Sequence, residues 1–136
     1  MTALVTAATW LWLGMVLAIS FLEAPLKFRA PGVDLRTGLA IGRLVFRALN
    51  AAEVVLAVVL AVALVVAPAG TTAVASGAAA IALLALQLVA VRPLLARRTA
   101  AVLAGEDGPR SKAHLWYVAL EVLKVAALVV LGVAVL

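Results

Sequence analysis

At 136 residues the chain has the length of one domain, but 68% of its residues are hydrophobic, only 12% are charged, and its mean hydropathy is +1.27. This composition excludes an ordinary water-soluble fold, which needs a larger polar surface. Cysteine is absent and His114 is the only histidine, which excludes disulfides, thiolate chemistry and a multi-histidine metal centre within one chain. The net charge of +5 does not indicate nucleic acid as a partner, because the basic residues lie beside apolar runs.

The first predicted helix covers residues 3–28 and begins with a long apolar run that carries no charge. No basic segment precedes this run, so we interpret it as a retained membrane helix and not as a cleaved signal peptide. Trp10 and Trp12 are candidates for the outer membrane interface, and if they lie there the span includes Glu23. Pro25 cannot donate a backbone hydrogen bond, so we expect the helix to bend or end near it.

The second predicted helix covers residues 35–67, and Asp34 is its predicted N-cap. It is longer than the roughly 20 residues that one crossing of a bilayer requires, so its first turns should lie at or below the interface. The segment 68–70 (Pro-Ala-Gly) predicts a tight hairpin to the next helix. The first turns of the second helix carry three basic residues, namely Arg36, Arg43 and Arg47.

The third predicted helix covers residues 71–92 and contains one strongly polar residue, Gln87, before it ends at an Arg-Pro pair. The segment 97–111 is charged and rich in turn residues, so we expect it to be exposed to water. Ser111 is the predicted cap of the fourth helix, which covers residues 113–136. The sequence therefore predicts an all-α fold, a single four-helix bundle that spans a membrane.

The distribution of basic residues predicts the orientation of this bundle. Ten of the eleven Lys and Arg residues flank the first and third loops, whereas the hairpin and both chain ends carry none. In a four-helix protein these two loops lie on the same side, which the positive-inside rule assigns to the cytoplasm. We therefore expect a multi-pass protein of the cell inner (plasma) membrane with both termini on the non-cytoplasmic side. The ten residues are Lys27, Arg29, Arg36, Arg43, Arg47, Arg92, Arg97, Arg98, Arg110 and Lys112.

Helices two and four each carry a line of polar residues at helical spacing. The lines are Arg43, Arg47, Asn50 and Glu53 on helix two, and His114, Tyr117, Glu121 and Lys124 on helix four. Both helices run in the same direction, and at 1.5 Å per residue Glu53 lies ~9 Å beyond Arg47 and Glu121 lies ~10 Å beyond His114. Glu53 and Glu121 should therefore lie at similar depths, with Glu23 toward the same side. We expect the two carboxylates to approach each other across a helix two–helix four interface, beside Arg47 or Lys124.

Two interpretations of these polar residues stay open on the sequence alone. Charged side chains within a span cost at least about 2.5–3.5 kcal/mol and face the bundle interior, so they serve either to hold helices together or to form a functional pocket. A metal site is not predicted, because the chain has no Glu-x-x-His pair and His114 is seven residues from Glu121. Tyr117 and Trp116 also fit an aromatic belt at the interface. No nucleophile with a base is apparent, so we expect neither an enzyme nor a bound cofactor.

Four groups of residues are spread along most of the chain, namely Gly14, Ala24-Pro25-x-x-Phe28, Gly42-Arg43-Leu44-Val45-Phe46 and the stretch from His114 to Glu121. These positions resemble a family of small bacterial membrane proteins, the transmembrane-protein-205-type domain. The resemblance implies a four-helix membrane fold and no established activity. The sequence departs from that family at two polar positions, since the family tends to carry an amide where Glu121 stands and a histidine near Asn50.

The function predicted from these features is a small membrane protein whose polar pocket binds or transports a small solute or ion. The predicted ligand-binding residues are Glu23, Arg47, Asn50, Glu53, His114, Tyr117, Glu121 and Lys124. The alternative is a non-catalytic accessory subunit of a larger membrane complex, or a homo-oligomer. A helix face rich in small residues and left unfilled within the monomer, such as one on the third helix, would favour that alternative. In either case the lipid bilayer is the first partner.

Overall fold

A computed structural model of the chain describes residues 1–105 and 112–136. Within these residues the fold is all-helical and contains no strand, as the sequence predicts. Each of its four long helices has the length and the apolar composition to cross a membrane. The helices are α1 (Thr2–Lys27), α2 (Leu35–Val66), α3 (Thr71–Leu103) and α4 (Lys112–Ala134).

The connections between the helices follow from local residue chemistry. The Asp34 side chain accepts a hydrogen bond of 2.8 Å from the backbone N–H of Thr37 and so caps α2, as predicted. The same hydrogen bond lowers the pKa of the Asp34 carboxyl below its ordinary value. At the other end of α2, Gly70 has a φ of +94°, a conformation that glycine adopts without strain, and α3 begins at the next residue. The predicted hairpin is therefore present.

Two of the helices contain a wide, π-helical segment a few residues before a proline. In α1 this segment is Leu17–Glu23, followed by Pro25, and in α3 it is Gln87–Val91, followed by Pro93. A proline lacks the N–H for the usual bond and its ring clashes with the preceding turn, and a wider turn relieves this clash. Both helices therefore continue through their prolines.

The continuation of α3 corrects the predicted end of the third helix. The sequence pattern placed that end at Arg92, whereas the helix resumes as the α-helical segment Arg92–Leu103. This segment packs against α2 and α4 and is not a free loop. The other helices begin and end within two residues of their predicted bounds. The predicted cap Ser111 lies outside the described residues.

The core of the bundle is largest in the half that contains the chain termini and the hairpin. There α3 packs closely on α4, and α1 packs on both α2 and α4. The buried Gly77 of α3 allows a close approach to α2, because a Cβ at Gly77 would lie 2.7 Å from a methyl group of Leu64. The core residues with no exposed surface are Trp12, Val16, Leu60, Ala63, Ala80, Leu128 and Leu131. Toward the loop end this packing gives way to polar residues.

Candidate functional site

A cluster of polar side chains lies buried in the centre of the bundle, at the border of the apolar core. Glu53, Gln87, Glu121 and Lys124 are each at most 1% exposed. Thr9 is also buried, but its hydroxyl donates to the carbonyl of Val5 in its own helix and needs no other partner. The four remaining side chains come from α2, α3 and α4. Each of them has at least one polar partner on another helix.

The ammonium group of Lys124 is the centre of this cluster. Its Nζ donates to Glu53 Oε2 and, at 2.8 Å, to Gln87 Oε1. It also lies 2.6 Å from Glu121 Oε1, one turn earlier on the same helix. A lysine ammonium has three donors, and each of them here meets an acceptor. We call Glu53, Lys124 and Glu121 the charged triad.

Side chains from α1 and α3 donate further hydrogen bonds to the two carboxylates. Trp12 Nε1 donates to Glu53 Oε2 at 2.8 Å, and Ser20 Oγ donates to Glu121 Oε2 at 2.7 Å. The amide nitrogen of Gln87 lies 3.3 Å from Glu121 Oε1 and 3.3 Å from the backbone carbonyl of Tyr117. All four helices therefore contribute to one hydrogen-bonded network.

Both π-helical segments supply a residue of this network. Ser20 lies within the segment of α1, and Gln87 is the first residue of the segment of α3. A π-helical turn holds one more residue than an α-helical turn, so it changes the direction of the side chains that follow. In both helices the altered segment carries a donor to Glu121. The wide turns are thus part of how the site is built.

The charges of the triad do not balance within the described part of the chain. Two ionised carboxylates and one ammonium give −2 + 1 = −1. Glu121 receives donors on both of its oxygens, whereas Glu53 Oε1 is buried and has no hydrogen-bond partner among the described residues. An unpaired buried charge is among the most costly features of a folded protein.

A cavity of about 440 Å³ lies beside the triad, toward the end of the bundle that contains the first and third loops. Glu121, Ser20 and Tyr117 belong both to the cavity wall and to the surroundings of the triad. We call this space the basic cavity, because four cationic side chains line it. They are Lys27, Arg43, Arg47 and Arg92.

Aromatic rings hold two of these cations in the wall of the basic cavity. Lys27 Nζ lies 5.5 Å from the ring centre of Phe28 and 5.7 Å from that of Phe46. The guanidinium carbon of Arg92 lies 5.8 Å from the ring centre of Phe46 and 5.9 Å from that of Tyr117. Such cation–π contacts position a cation without neutralising its charge.

Few carboxylates oppose the cations of the basic cavity. Lys27 Nζ lies 3.8 Å from Glu23, whereas Arg43, Arg47 and Arg92 form no salt bridge with a carboxylate in residues 1–105 and 112–136. Among the residues that the structure describes, Glu121 is the only carboxylate in the cavity wall, so this lining carries +4 − 1 = +3 with His114 neutral. The cavity therefore has the electrostatics of an anion-binding site.

The structure divides the eight predicted site residues into three groups. Glu53, Glu121 and Lys124 form the charged triad. Arg47, Asn50, His114 and Tyr117 line the basic cavity, together with Glu121. Glu23 belongs to neither group, because it pairs with Lys27 one turn along its own helix. Lys124, and not Arg47, is the cation beside the two carboxylates.

Two further expectations about this region are corrected. The triad does not lie on a direct α2–α4 interface, since the closely packed pairs are α3 with α4 and α1 with α2 and α4. Lys124 instead joins the carboxylates across the centre of the bundle. Trp12 and Tyr117 are buried, so neither belongs to an aromatic belt at the surface. Trp116, in contrast, is 65% exposed.

The sequence did not identify three members of the network as site residues, namely Trp12, Ser20 and Gln87. Gln87 could have been identified from the sequence, because it is the one strongly polar residue in a long apolar run. The cavity residues Lys27, Phe46 and Arg92 were likewise not predicted to be site residues. No three His, Asp or Glu residues come together within the described residues to hold a metal ion.

Comparisons with protein-family models, with curated proteins and with solved structures find no match to this chain. The resemblance to the transmembrane-protein-205-type domain is therefore neither supported nor contradicted, and it stays a prediction.

Proposed function

We propose that this chain is a multi-pass membrane protein, with both termini on the non-cytoplasmic side of a cell inner membrane. Two observations support the proposal. All four helices have the length and composition of membrane spans. The basic residues outside the spans lie around the first and third loops, as the positive-inside rule requires for cytoplasmic loops. The basic cavity then opens toward the cytoplasm.

Cysteine labelling tests this orientation without background, because the chain has no cysteine of its own. Single cysteines that replace Thr2 and Ala104 are expected to lie on opposite sides of the membrane. A membrane-impermeant maleimide should modify the cysteine at position 2 and leave that at position 104 unmodified until the cells are opened. Labelling of position 104 from outside would contradict the orientation.

The activity that we propose is the binding of a small anion with an apolar body in the basic cavity, as a step in its uptake or export. The net charge of +3 in the cavity wall carries this proposal. A cavity of about 440 Å³ is within the usual range for small-molecule sites, roughly 300–1,000 Å³. Phe28, Phe46 and Leu95 in the wall provide apolar surface for the body of the ligand.

An anion is the ligand that fits this cavity, because unpaired arginines at the edge of a membrane are energetically unfavourable. A cation at the edge of a bilayer core is stable only when it is hydrated or paired, and three arginines here have no carboxylate partner within the described residues. A carboxylate or phosphate group would pair with a guanidinium through two parallel hydrogen bonds. That group belongs either to a soluble metabolite or to the headgroup of an anionic lipid.

Benzoate is a suitable probe, and benzamide is its uncharged control of the same shape. We expect the purified protein in a neutral detergent to bind benzoate and not benzamide in isothermal titration calorimetry. Arg92→Gln should weaken benzoate binding by roughly tenfold to a hundredfold, because one charge-assisted hydrogen bond is lost. Arg97→Gln is the matched control, since Arg97 lies on the same helix, is exposed and does not line the cavity.

The two sources of the anion give different results in the same preparation. If a lipid headgroup fills the cavity, native mass spectrometry should show a retained anionic lipid in the wild type and its loss in Arg92→Gln. If the cavity takes a soluble anion, the protein should lack such a lipid and bind benzoate directly. Binding of neither ligand, or equal binding of benzamide and benzoate, would contradict the proposal.

A second candidate function is that of an accessory subunit, and one observation favours it. The buried face of α3 packs within the chain, but its opposite face leaves a row of small residues exposed. These residues are Ala75, Ala78, Ala79 and Ala82. Small residues at a helix surface allow close packing of another membrane helix. The same native mass spectra distinguish this candidate, because it requires a stably bound second chain and no dependence on Arg92.

A further inference from the structure

We propose that Glu53, Lys124 and Glu121 form a proton-binding site whose occupancy is coupled, through Glu121, to that of the basic cavity. The inference rests on the proposed anion binding and adds a second ligand, the proton, at a separate position. Its basis is the arrangement of three buried charges that share one hydrogen-bonded network, together with the cavity that borders only one of them.

The first step of the argument is the imbalance of charge in the triad. One proton added to the pair of carboxylates turns the net charge of −1 into 0. Both carboxylates contact the same ammonium, so one proton on either of them neutralises the triad. A neutral triad is strongly favoured where all three side chains are excluded from water.

The second step concerns where the proton lies. Glu121 accepts hydrogen bonds on both oxygens, from Ser20 on one and from Gln87 and Lys124 on the other. Glu53 accepts on Oε2 only, and its Oε1 has no donor among the described residues. A protonated Oε1 removes the unpaired charge at that oxygen. When the triad holds this proton, Glu53 is therefore the carboxylate that carries it.

The third step links the triad to the cavity. Glu121 is the member of the triad that lines the cavity wall, so an anion in the cavity lies beside it. The bound anion repels the net negative charge of the unprotonated triad. It also pairs with the cations of the cavity wall, which would otherwise stabilise that negative charge. Anion binding thus favours the neutral, protonated triad, and the proton favours anion binding by the same factor. The proton comes from water and adds to a carboxylate oxygen, and no other bond is made or broken.

Other titratable groups also face Glu121 and must be separated from the triad in any test. His114 is the most important, because its ordinary pKa lies in the neutral range and it lines the same cavity. The full set is Lys27 from α1, Arg43, Arg47 and Glu53 from α2, Arg92 from α3, and His114, Tyr117 and Lys124 from α4.

The wild-type protein provides the first test. Benzoate is titrated calorimetrically in two buffers of different ionisation enthalpy, across the pH range between the ordinary pKa values of a carboxyl and a lysine. We expect uptake of up to one proton per bound benzoate. The dissociation constant should rise by roughly 5- to 150-fold as the pH increases through the titration of the triad, the usual range for coupling between two sites.

Two single variants assign the proton to the triad or to the histidine. Glu53→Gln leaves the cavity wall intact and leaves Lys124 with one carboxylate, so the pair is neutral without an added proton. Benzoate should therefore bind to this variant without proton uptake, and its dissociation constant should not change over the pH range in which that of the wild type rises. His114→Gln should retain proton uptake. The opposite result, uptake that persists in Glu53→Gln and disappears in His114→Gln, would overturn the inference. Circular dichroism and size-exclusion chromatography confirm that both variants are folded before titration.

The outcomes also separate this inference from the proposed function. Wild-type protein that binds benzoate with one affinity at every pH, and without proton uptake, would refute the proton site and leave the anion site standing. Protein that binds neither benzoate nor an anionic lipid would refute both. If Glu53→Gln does not fold, the wild-type proton uptake and the His114→Gln titration still decide between the triad and the histidine.

Discussion

Replacement of Lys124 by methionine is expected to lower the free energy of unfolding by about 3–5 kcal/mol, because it leaves two carboxylates buried without a cation. Methionine has a similar length and no charge, so it fills much of the same volume. Lys124 is fully buried and contacts Glu53, Glu121 and Gln87, so the variant removes interactions with two other helices and with Glu121 on its own helix. Equilibrium unfolding in mixed micelles of denaturing and neutral detergent measures the loss.

A matched control and a rescue variant identify the origin of this loss. Lys112→Met changes an exposed lysine at the start of the same helix and should leave the free energy of unfolding nearly unchanged. Lys124→Met combined with Glu53→Gln and Glu121→Gln removes the unpaired charges and should recover most of the stability. If Lys124→Met unfolds at the same denaturant concentration as the wild type, the triad does not stabilise the bundle.

The four helices were predictable because a membrane span is a long, uninterrupted signal. A run of about 20 apolar residues is too long and too apolar for an ordinary soluble fold. Asp34 marks the start of α2, because its side chain caps that helix, and Gly70 marks the turn between α2 and α3. The end of the third helix was not predictable in the same way. Pro93 usually stops a helix, but here the wide turn Gln87–Val91 accommodates it, and tertiary packing stabilises the segment that follows.

The charged triad was predictable from spacing and depth. Glu53 and Glu121 are rare charges in apolar spans, and two helices that run in the same direction bring them to one level. Lys124 follows Glu121 by one helical turn, so it was a natural partner. Charged residues are costly within a membrane span, so those that are present are the site residues that a sequence identifies best.

The donors from α1 and α3 were hidden for a physical reason. A membrane helix is apolar on all sides, so the pattern of apolar residues does not show which side faces the protein interior. Trp12 could equally have marked an interface with lipid headgroups. Ser20 and Gln87 lie in π-helical segments, where the direction of a side chain departs from the α-helical period. Only the assembled bundle shows that these residues face Glu53 and Glu121.

The second large effect is expected at Trp12, which combines a large buried ring with a hydrogen bond to the carboxyl group of Glu53. Trp12→Ala should lower the free energy of unfolding by about 3–5 kcal/mol, mainly because the packing of the ring is lost. Trp12 has no exposed surface, and its Nε1 lies 2.8 Å from Glu53 Oε2. Trp116→Ala is the matched control: that tryptophan is 65% exposed and should contribute little.

Trp12→Phe separates the hydrogen bond of Trp12 from its packing. Phenylalanine retains an aromatic ring but has no N–H, so Glu53 keeps Lys124 as its single donor, and we expect a loss of about 1.5–3 kcal/mol. At a pH at which the triad has lost its proton and Glu53 is ionised, the hydrogen-bonding part of this loss should shrink when Glu53 is replaced by Gln, because an uncharged acceptor gains less from the indole donor. A double-mutant cycle over Trp12→Phe and Glu53→Gln measures that coupling directly. A coupling energy of zero would mean that the indole only fills space, and that Glu53 is held in place by Lys124 alone.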